Sequence, residues 1–386
     1  MSSPIPSRAR AQSETGDPLL LTPGPLTTSK SVKQTMVHDW GSRDATFIAL
    51  NAEVLERLPT IVHGEGDYVT VPMQGSGTFA IEAMLTTFVP RDGAVLTLIN
   101  GAYGQRARRI LAVAGRKTFA HETPEDAPPD LDAVDRLLAA TPAIAHVFAV
   151  HCETTSGILN PIEKIADLCA RRGRRLLIDA MSAFGAIELD ARKTRFDAVA
   201  ASANKCLEGV PGLGFVVCRR EALAAAEGNA TTLSLDLCDQ RRNFDKTGQY
   251  RFTPPIHVIV AFHQALKEFF AEGGVAGRGG RYRENARVLI DGMRALGFET
   301  LLSDALQAPI IATFRTPSHP NFMFQRFYDA LKERGYVIYP GKLTVADSFR
   351  IGCIGRLYPD DMRGALAAVR ETLAEMGVAL APAPAA

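Results

Sequence analysis

The stretch that most constrains the fold runs from Asp67 to Cys218, where short apolar runs alternate with helical stretches. The predicted strands are residues 68–72, 94–99, 144–150, 176–178, 198–201 and 215–218. The predicted helices between them are residues 79–88, 105–114, 131–140 and 162–171. Such alternation predicts an α/β fold with a mainly parallel sheet wrapped by helices.

A second region follows the break at Thr253-Pro254-Pro255 and the glycine-rich residues 273–280. Its predicted strands and helices are residues 310–314, 337–338, 349–354, 281–296, 322–334 and 360–376. A chain of 386 residues exceeds the roughly 250 to 300 residues at which single cores split. We therefore predict a large domain at residues 18–262, a smaller α+β domain at 263–377, and disordered tails at 1–17 and 378–386.

Composition excludes several classes of protein. The net charge of +1 gives no argument for a nucleic-acid or anionic membrane partner. The six cysteines lack Cys-x-x-Cys spacing, which predicts reduced core thiols and no metal site. Neither a signal peptide nor a run of about 20 apolar residues is found, so we expect a soluble cytoplasmic protein.

A lysine and an aspartate follow two neighbouring predicted strands. Asp179 ends the strand at residues 176–178, and Lys205 follows the strand at residues 198–201. Because the carboxyl ends of parallel strands are where ligands bind, both side chains are expected at one edge of the sheet. A lysine there is often only a solvated loop charge. Paired with a carboxylate, however, it suits pyridoxal phosphate, whose aldehyde bonds a lysine and whose ring nitrogen pairs with an acid.

The segment Gln74-Gly75-Ser76-Gly77-Thr78 follows a strand and opens a helix, as phosphate-binding segments do. Residues 75–80 also match the G-x-G-x-x-A pattern of dinucleotide sites, which is the main alternative. A dinucleotide site would place an acid at the end of the next strand. Asp92 precedes that strand instead, and Asn100-Gly101-Ala102-Tyr103 follows it. The phosphate interpretation is therefore favoured.

Two further strand ends carry groups that could contact the ring of pyridoxal phosphate. Tyr103 could stack on a pyridine ring, although a packed tyrosine at a strand-helix junction is the simpler explanation. Residues 151–157, His-Cys-Glu-Thr-Thr-Ser-Gly, offer hydroxyls at the same edge, although a polar turn would look similar. The four strand ends together point to one cofactor more strongly than any one of them.

The motifs together resemble those of class V, fold-type I aminotransferases, from residue 19 to about residue 375. The likeness is carried by residues 21–27, 74–78, 100–104, 151–157, 179–182, 202–212, 252–255, 339–342 and 349–355. It implies a seven-stranded large domain, a homodimer with sites at the subunit interface, and small amine and keto-acid substrates. It also implies that residues 18–30 pack near the small domain.

The resemblance assigns roles to individual residues. It makes Lys205 the Schiff-base lysine and Asp179 the pyridinium partner, both catalytic. The other cofactor-binding positions that it implies are Ser76, Gly77, Thr78, Tyr103, Thr154, Ser182 and Thr253, the last reaching the neighbouring subunit's cofactor. The implied substrate-binding positions are Arg350, as the anion-binding arginine, with Thr22 and Gly24. A guanidinium fork suits a carboxylate or a phosphonate, although a strand-edge arginine is most often a surface charge.

One non-enzymatic alternative is a cofactor-binding regulatory protein. Such a protein is expected to carry an added DNA-binding domain. The weakly structured first 17 residues are too few for one, so an aminotransferase is the expectation.

Overall fold

A computed structural model describes residues 10–343 and 346–381 of the chain. The strands in this part are β1 (Leu19–Leu20), β2 (Tyr68–Gln74), β3 (Ala94–Ile99), β4 (Lys117–Glu122), β5 (Ile144–Val150), β6 (Cys152–Glu153), β7 (Ile158–Leu159), β8 (Arg175–Asp179), β9 (Ala198–Ser202), β10 (Leu213–Arg219), β11 (Ile311–Arg315), β12 (Tyr336–Val337), β13 (Tyr339–Pro340) and β14 (Ser348–Gly352). The α-helices are α1 (Lys30–Gln34), α2 (Ala45–Thr60), α3 (Gly77–Phe88), α4 (Ala102–Val113), α5 (Leu131–Ala140), α6 (Ile162–Arg171), α7 (Arg220–Ala225), α8 (Leu237–Thr247), α9 (Ile256–Ala271), α10 (Gly274–Ala295), α11 (Phe324–Glu333) and α12 (Pro359–Glu375).

The main sheet has seven strands in the order β2-β10-β9-β8-β5-β3-β4. All neighbouring pairs are parallel except those of β10, which runs antiparallel to β2 and β9. The carboxyl ends of β2, β3, β5, β8 and β9 therefore lie at one edge. Central strands such as β3 and β9 are buried along their whole length, as expected for a sheet covered on both faces. The predicted α/β fold is confirmed.

Several elements of this sheet region escaped prediction, among them β4 and α2. The strand β4, Lys-Thr-Phe-Ala-His-Glu, lies at the sheet edge and is only partly buried, so it lacks the apolar run of a central strand. Helix α2 buries Phe47, Val54 and Leu58 among other residues. Asp44 caps this helix by accepting a hydrogen bond from the backbone N–H of Thr46 at 2.9 Å.

A second apolar core lies around the three-stranded sheet β11-β14-β13. Phe298, Phe314 and Phe349 are fully buried there, with ring centroids 5.5 to 6.4 Å apart. The segment after residue 18 joins this core, because Leu19 pairs with Tyr336 in the two-stranded sheet β1-β12. Farther along the segment, Leu26 belongs to the core of the large sheet. This segment therefore connects the two cores.

The change from one core to the other falls within α10. The buried apolar residues of α9 all belong to the core of the large sheet. In α10, Tyr282 still belongs to that core, whereas Ala286 belongs to the second. The domain division near residue 262 stays a prediction, and these cores favour a later position.

The glycines between α9 and α10 lie mostly inside the second helix. A Cβ at Gly277 would lie 1.8 Å from the carbonyl oxygen of Glu272, and one at Gly279 would lie 2.2 Å from that of Ala186. These glycines thus permit close packing of backbone against backbone. The helix that was predicted to start at residue 281 begins at Gly274, because these glycines are part of the packed helix and not of a loop.

The disordered tails stay a prediction, and parts of both contact the folded protein. Residues 10–17 contact the body of the protein: the backbone N–H of Ala11 donates to Arg334, and Glu14 pairs with Arg356 at 3.2 Å. At the other end, Val378 is buried in the second core. Residues 1–9 and 382–386 of these tails lie outside the described part of the chain.

Among residues 10–343 and 346–381, no helix combines the length and the apolar character needed to cross a bilayer.

Candidate active site

A cavity of about 460 Å³ opens at the carboxyl edge of the large sheet. Loops after β2, β8 and β9 and the start of α4 all contribute to its wall. The residues that line it are Gly75, Ser76, Gly77, Thr78, Ile81, Tyr103, Arg106, Ala107, Asp179, Met181, Ser202, Asn204, Lys205, Pro211 and Gly212. The structure therefore brings the predicted lysine, aspartate, tyrosine and phosphate-binding segment to one place.

Lys205 projects into this cavity from the loop after β9. Its Nζ donates a hydrogen bond to the carbonyl oxygen of Pro23 at 2.7 Å. Burial lowers the pKa of this ammonium to about 8, and the nearby thiol of Cys206 and carboxylate of Asp179 oppose the shift. A neutral amine is therefore more accessible near pH 7 than for an ordinary lysine, as a nucleophile or base requires.

A buried arginine binds the backbone of the loop that carries Lys205. Arg278 donates from Nη1 to the carbonyl oxygen of Cys206 at 2.7 Å, and its Nε pairs with Glu272 at 2.6 Å. The guanidinium is almost fully buried. This contact holds the backbone next to Lys205, and no sequence motif pointed to it.

Asp179 ends β8 and is buried at the floor of the cavity. Its Oδ1 accepts a hydrogen bond from the backbone N–H of Met181 at 2.9 Å. Burial raises the pKa of the carboxyl group to about 6, although the Met181 hydrogen bond lowers it. At neutral pH the group is ionised mainly, so it can hold a cationic nitrogen beside it.

The loop from Gly75 to Thr78 forms a cradle for an anion. Gly75 has φ +119°, which favours glycine, and Ser76 precedes α3 without a side-chain capping hydrogen bond. Opposite this helix start, the buried hydroxyl of Ser202 has no hydrogen-bond partner among the described residues. Free helix N–H groups and an unpartnered hydroxyl fit the phosphate of pyridoxal phosphate.

Tyr103 and Arg106 lie one turn apart on α4 and both line the cavity. The Arg106 guanidinium carbon is 4.8 Å from the Tyr103 ring centroid. Its Nη1 donates to Thr78 Oγ1 at 3.2 Å, so it adds a positive charge to the cradle. Arg106 was not among the predicted site residues, although its position three residues after Tyr103, on a predicted helix, was the available signal.

Glu153 is a second residue of the site for which the sequence predicted no role. Its fully buried carboxylate accepts hydrogen bonds from the backbone N–H of Tyr103 at 3.1 Å and of Thr155 at 3.0 Å. Burial raises its pKa, and these hydrogen bonds oppose the rise. A Cβ at Gly101 would lie 2.4 Å from this side chain. Glu153 thus fixes the start of α4 and with it the Tyr103 ring.

Arg350 lies on β14 and is buried. Its Nε donates to the carbonyl oxygen of Pro340 at 3.1 Å, and its Nη1 donates to that of Thr154 at 2.8 Å. Burial lowers its pKa. Arg350 is not among the residues that line the cavity, although its charge contributes to the lowered pKa of Lys205.

The remaining predicted site residues differ in whether they lie at the cavity. The side chains of Thr154 and Ser182 are buried and do not line the cavity. Thr22 Oγ1 donates to Pro25 at 2.5 Å, whereas Gly24 faces Lys205 directly, since a Cβ there would lie 2.6 Å from Nζ. Thr253 lines a separate cavity of about 340 Å³ with Arg43 and Phe252. The roles predicted for these positions stay predictions.

One group of possible metal ligands lies elsewhere. The side-chain ligand atoms of His63, Glu188 and Asp190 lie within 4.8 Å of one another. The Asp190 carboxylate is already bound by Arg192 at 2.7 and 2.8 Å. The sequence-based expectation that no metal binds stays a prediction.

The chain is similar to known proteins of one family. The profile of the family described as aminotransferase class-V matches residues 33–348. The chain is 54% identical over 369 residues to a 2-aminoethylphosphonate--pyruvate transaminase of Burkholderia lata, covering 96% of this chain and 98% of that protein. It is 53% identical to a Pseudomonas putida protein of the same name, covering 94% and 98%.

Solved structures agree with this result. A pyridoxamine-pyruvate aminotransferase from Mesorhizobium loti superposes with a TM-score of 0.87 at 26% identity, covering 97% of this chain and 96% of that one. An aspartate aminotransferase from Thermus thermophilus superposes with a TM-score of 0.84 at 23% identity, covering 93% and 99%. The fold is that of fold-type I aminotransferases, whose characteristic cofactor is pyridoxal phosphate. By its sequence profile and its close relatives, this chain belongs to the class V aminotransferases.

Proposed function

We propose that this enzyme uses pyridoxal phosphate to move the amino group of 2-aminoethylphosphonate to pyruvate, giving phosphonoacetaldehyde and L-alanine in phosphonate catabolism. The observation that carries the reaction type is the pairing of Lys205 with Asp179 in one cavity beside an anion cradle. The relatives at 53 to 54% identity support this choice of donor and acceptor.

The cofactor's phosphate would be held by the cradle at the start of α3. Ser76, Gly77, Thr78 and Ser202 supply N–H and hydroxyl groups there, and Arg106 supplies charge. The Tyr103 ring would cover one face of the pyridine ring. When bound, pyridoxal phosphate supplies an electron-accepting ring that stabilises negative charge on the carbon losing its proton.

Lys205 would hold the cofactor covalently and then move the proton of the donor carbon. Its lowered pKa supports both tasks, since each requires the neutral amine. Asp179 would hold the ring nitrogen protonated, because a buried carboxylate stabilises an adjacent cation. Thr154 would lie near the ring oxygen and Ser182 would contact the cofactor, although neither side chain lines the cavity.

Arg350 would bind the anionic end of each substrate in turn. Two of its N–H groups are used by carbonyl oxygens. No other described residue accepts from the remaining N–H groups, which could form a fork with a carboxylate or phosphonate. Thr22 and Gly24 would border the same substrates, since the segment that contains them lies against Lys205.

We further propose a homodimer with its active sites at the subunit interface. Thr253 is exposed and lies in a cavity apart from Lys205, which suits a role toward the neighbouring subunit's phosphate. We place the enzyme in the cytoplasm, in keeping with its six free cysteines.

The runner-up is another class V activity, such as that of an alanine:glyoxylate or serine:pyruvate aminotransferase. The deciding experiment supplies 2-aminoethylphosphonate, alanine, serine and 2-aminoethylsulfonate as donors, with pyruvate and glyoxylate as acceptors. We expect the highest kcat/KM for 2-aminoethylphosphonate with pyruvate. A clear preference for alanine with glyoxylate would replace the proposed donor and acceptor.

The role of Lys205 is tested by Lys205→Ala. We expect cofactor to bind without a covalent bond and turnover to fall by several orders of magnitude, because a covalent and an acid-base group are lost together. Borohydride treatment followed by mass spectrometry should attach cofactor to wild type and not to the variant. Near-normal single-turnover rates in the variant would contradict the assignment.

A further inference from the structure

Lys342 stands beside the proposed substrate arginine without any assigned role. Strand β13 pairs with β14 so that Tyr339 lies opposite Arg350, and Arg350 Nε bonds the carbonyl oxygen of Pro340. Lys342 follows Pro340 by two residues, and its Nζ lies 4.9 Å from the Tyr103 ring centroid. The lysine therefore lies in the loop directly after β13, the strand that pairs with the arginine's strand β14.

The surroundings of Lys342 are rich in positive charge. Partial burial lowers its pKa, and the charges of Arg106 and Arg350 lower it further. Glu153 opposes them, but its carboxylate already accepts backbone hydrogen bonds. Within the described residues, no ion pair or hydrogen bond holds the Lys342 ammonium, and the residue keeps part of its surface exposed to solvent. A region with this charge is suited to an anion.

The cations have different partners. Arg106 bonds Thr78 in the phosphate cradle, so it belongs with the cofactor's phosphate. Arg350 gives two N–H groups to carbonyl oxygens, which leaves enough for a two-oxygen fork. A carboxylate needs no more than that fork. A phosphonate presents three oxygens and up to two charges, and one guanidinium neutralises only one of them.

We propose that Lys342 is a specificity-determining residue that supplies the second positive charge for a dianionic phosphonate. Arg350 alone serves the keto-acid carboxylate. A lysine fits this task because its point charge and rotatable donors adapt to a tetrahedral group. The inference rests on the proposed function, since it requires a phosphonate and a carboxylate to occupy the same place in turn.

The test uses cofactor-loaded wild type, Lys342→Met and, as a control, Lys332→Met, which changes an exposed lysine on α11. Each half-reaction is followed separately in single-turnover experiments. We expect Lys342→Met to lower kcat/KM for 2-aminoethylphosphonate at least about tenfold and to change the pyruvate half-reaction less than about threefold. Lys332→Met should change neither, and Lys342→Arg should recover part of the loss.

A second measurement needs no turnover. Above the second ionisation of an alkylphosphonate, at about pH 9, ethylphosphonate and ethanesulfonate have the same shape and differ by one charge. Their competitive inhibition constants at that pH therefore report recognition of the second charge. Wild type should favour the phosphonate, and Lys342→Met should reduce that preference about tenfold. An unchanged preference, or equal losses in both half-reactions, would overturn the role of Lys342 alone. If wild type does not use 2-aminoethylphosphonate at all, the proposed function and this inference fall together.

Discussion

The ammonium of Lys205 donates a hydrogen bond to the carbonyl oxygen of Pro23, 2.7 Å away and 182 positions earlier in the chain. Lys205 follows a strand of the large sheet. Pro23 follows a segment that is bound to the second core through the hydrogen bond from Leu21 N–H to Val337. The orientation of the reacting amine therefore depends on both cores.

The lowered pKa of Lys205 predicts how stability changes with pH. Its pKa is 10.5 ordinarily and about 8 in the folded protein. Below pH 8 the buried charge destabilises the cofactor-free fold. Between about pH 8 and 10.5 the unfolded state binds more protons, so stability rises with pH. Thermal unfolding should find cofactor-free Lys205→Met more stable than wild type at pH 7, with the difference shrinking toward pH 10.

A matched control for this comparison is Lys164→Met, which changes an exposed lysine on α6. It should follow wild type at every pH. A stability difference for Lys205→Met that is constant from pH 7 to pH 10 would show that the lysine does not titrate in this range.

The contact of Gly24 with Lys205 predicts a loss of activity that is separable from backbone strain. Gly24 and Gly16 have φ +118° and +81°, so alanine at either costs about 1 kcal/mol or more in folding free energy. An alanine Cβ at Gly24 would lie 2.6 Å from Lys205 Nζ, whereas one at Gly16 meets nothing within 4 Å. Gly24→Ala should lower kcat strongly and Gly16→Ala should not. Equal kcat values would show that Lys205 moves aside at no cost.

Asp179→Asn should retain cofactor and lose more than about tenfold in kcat, because an amide cannot stabilise a protonated ring nitrogen as an anion does. The control is Asp197→Asn. Asp197 is also buried, and burial also raises its pKa, but it lies at the opposite end of the sheet strands. Steady-state kinetics should find that variant close to wild type. A similar loss in both variants would indicate a general effect of removing a buried carboxylate.

The elements that could be predicted are those with a distinctive local sequence pattern. Strands such as β3 and β5 were predicted with correct bounds, since their runs are continuous and apolar. The strand β4 was missed because a half-exposed edge strand has no such run. The antiparallel direction of β10 depends on its partners, which no local pattern reports.

The residues of the candidate site were likewise predictable only where a local sequence pattern marked them. Lys205 and Asp179 were found because each follows a recognisable strand. Arg106 and Lys342 meet at the Tyr103 ring from elements about 240 positions apart in the sequence, and Pro23 meets Lys205 across the two cores. Such contacts exist only after tertiary packing, so the sequence offered motifs for these segments and no evidence of what they touch.

Arg350→Ala tests whether one site binds both substrate anions. Losing a charge-assisted fork costs about 1.5 to 3 kcal/mol, so kcat/KM should fall at least about tenfold in each half-reaction. Cofactor affinity should hardly change. Arg350→Lys should recover only part of the loss, because a point charge does not form the fork.

The control for Arg350 is Arg315→Ala, an exposed arginine on the neighbouring strand β11. It should leave both half-reactions unchanged. Because Arg350→Ala also removes the donors to Pro340 and Thr154, thermal unfolding of each variant separates destabilisation from lost binding. Arg350 should affect both half-reactions, whereas Lys342 should affect the phosphonate half alone. If Arg350→Ala impairs one half-reaction and spares the other, the two anions bind at separate places and the shared site is wrong.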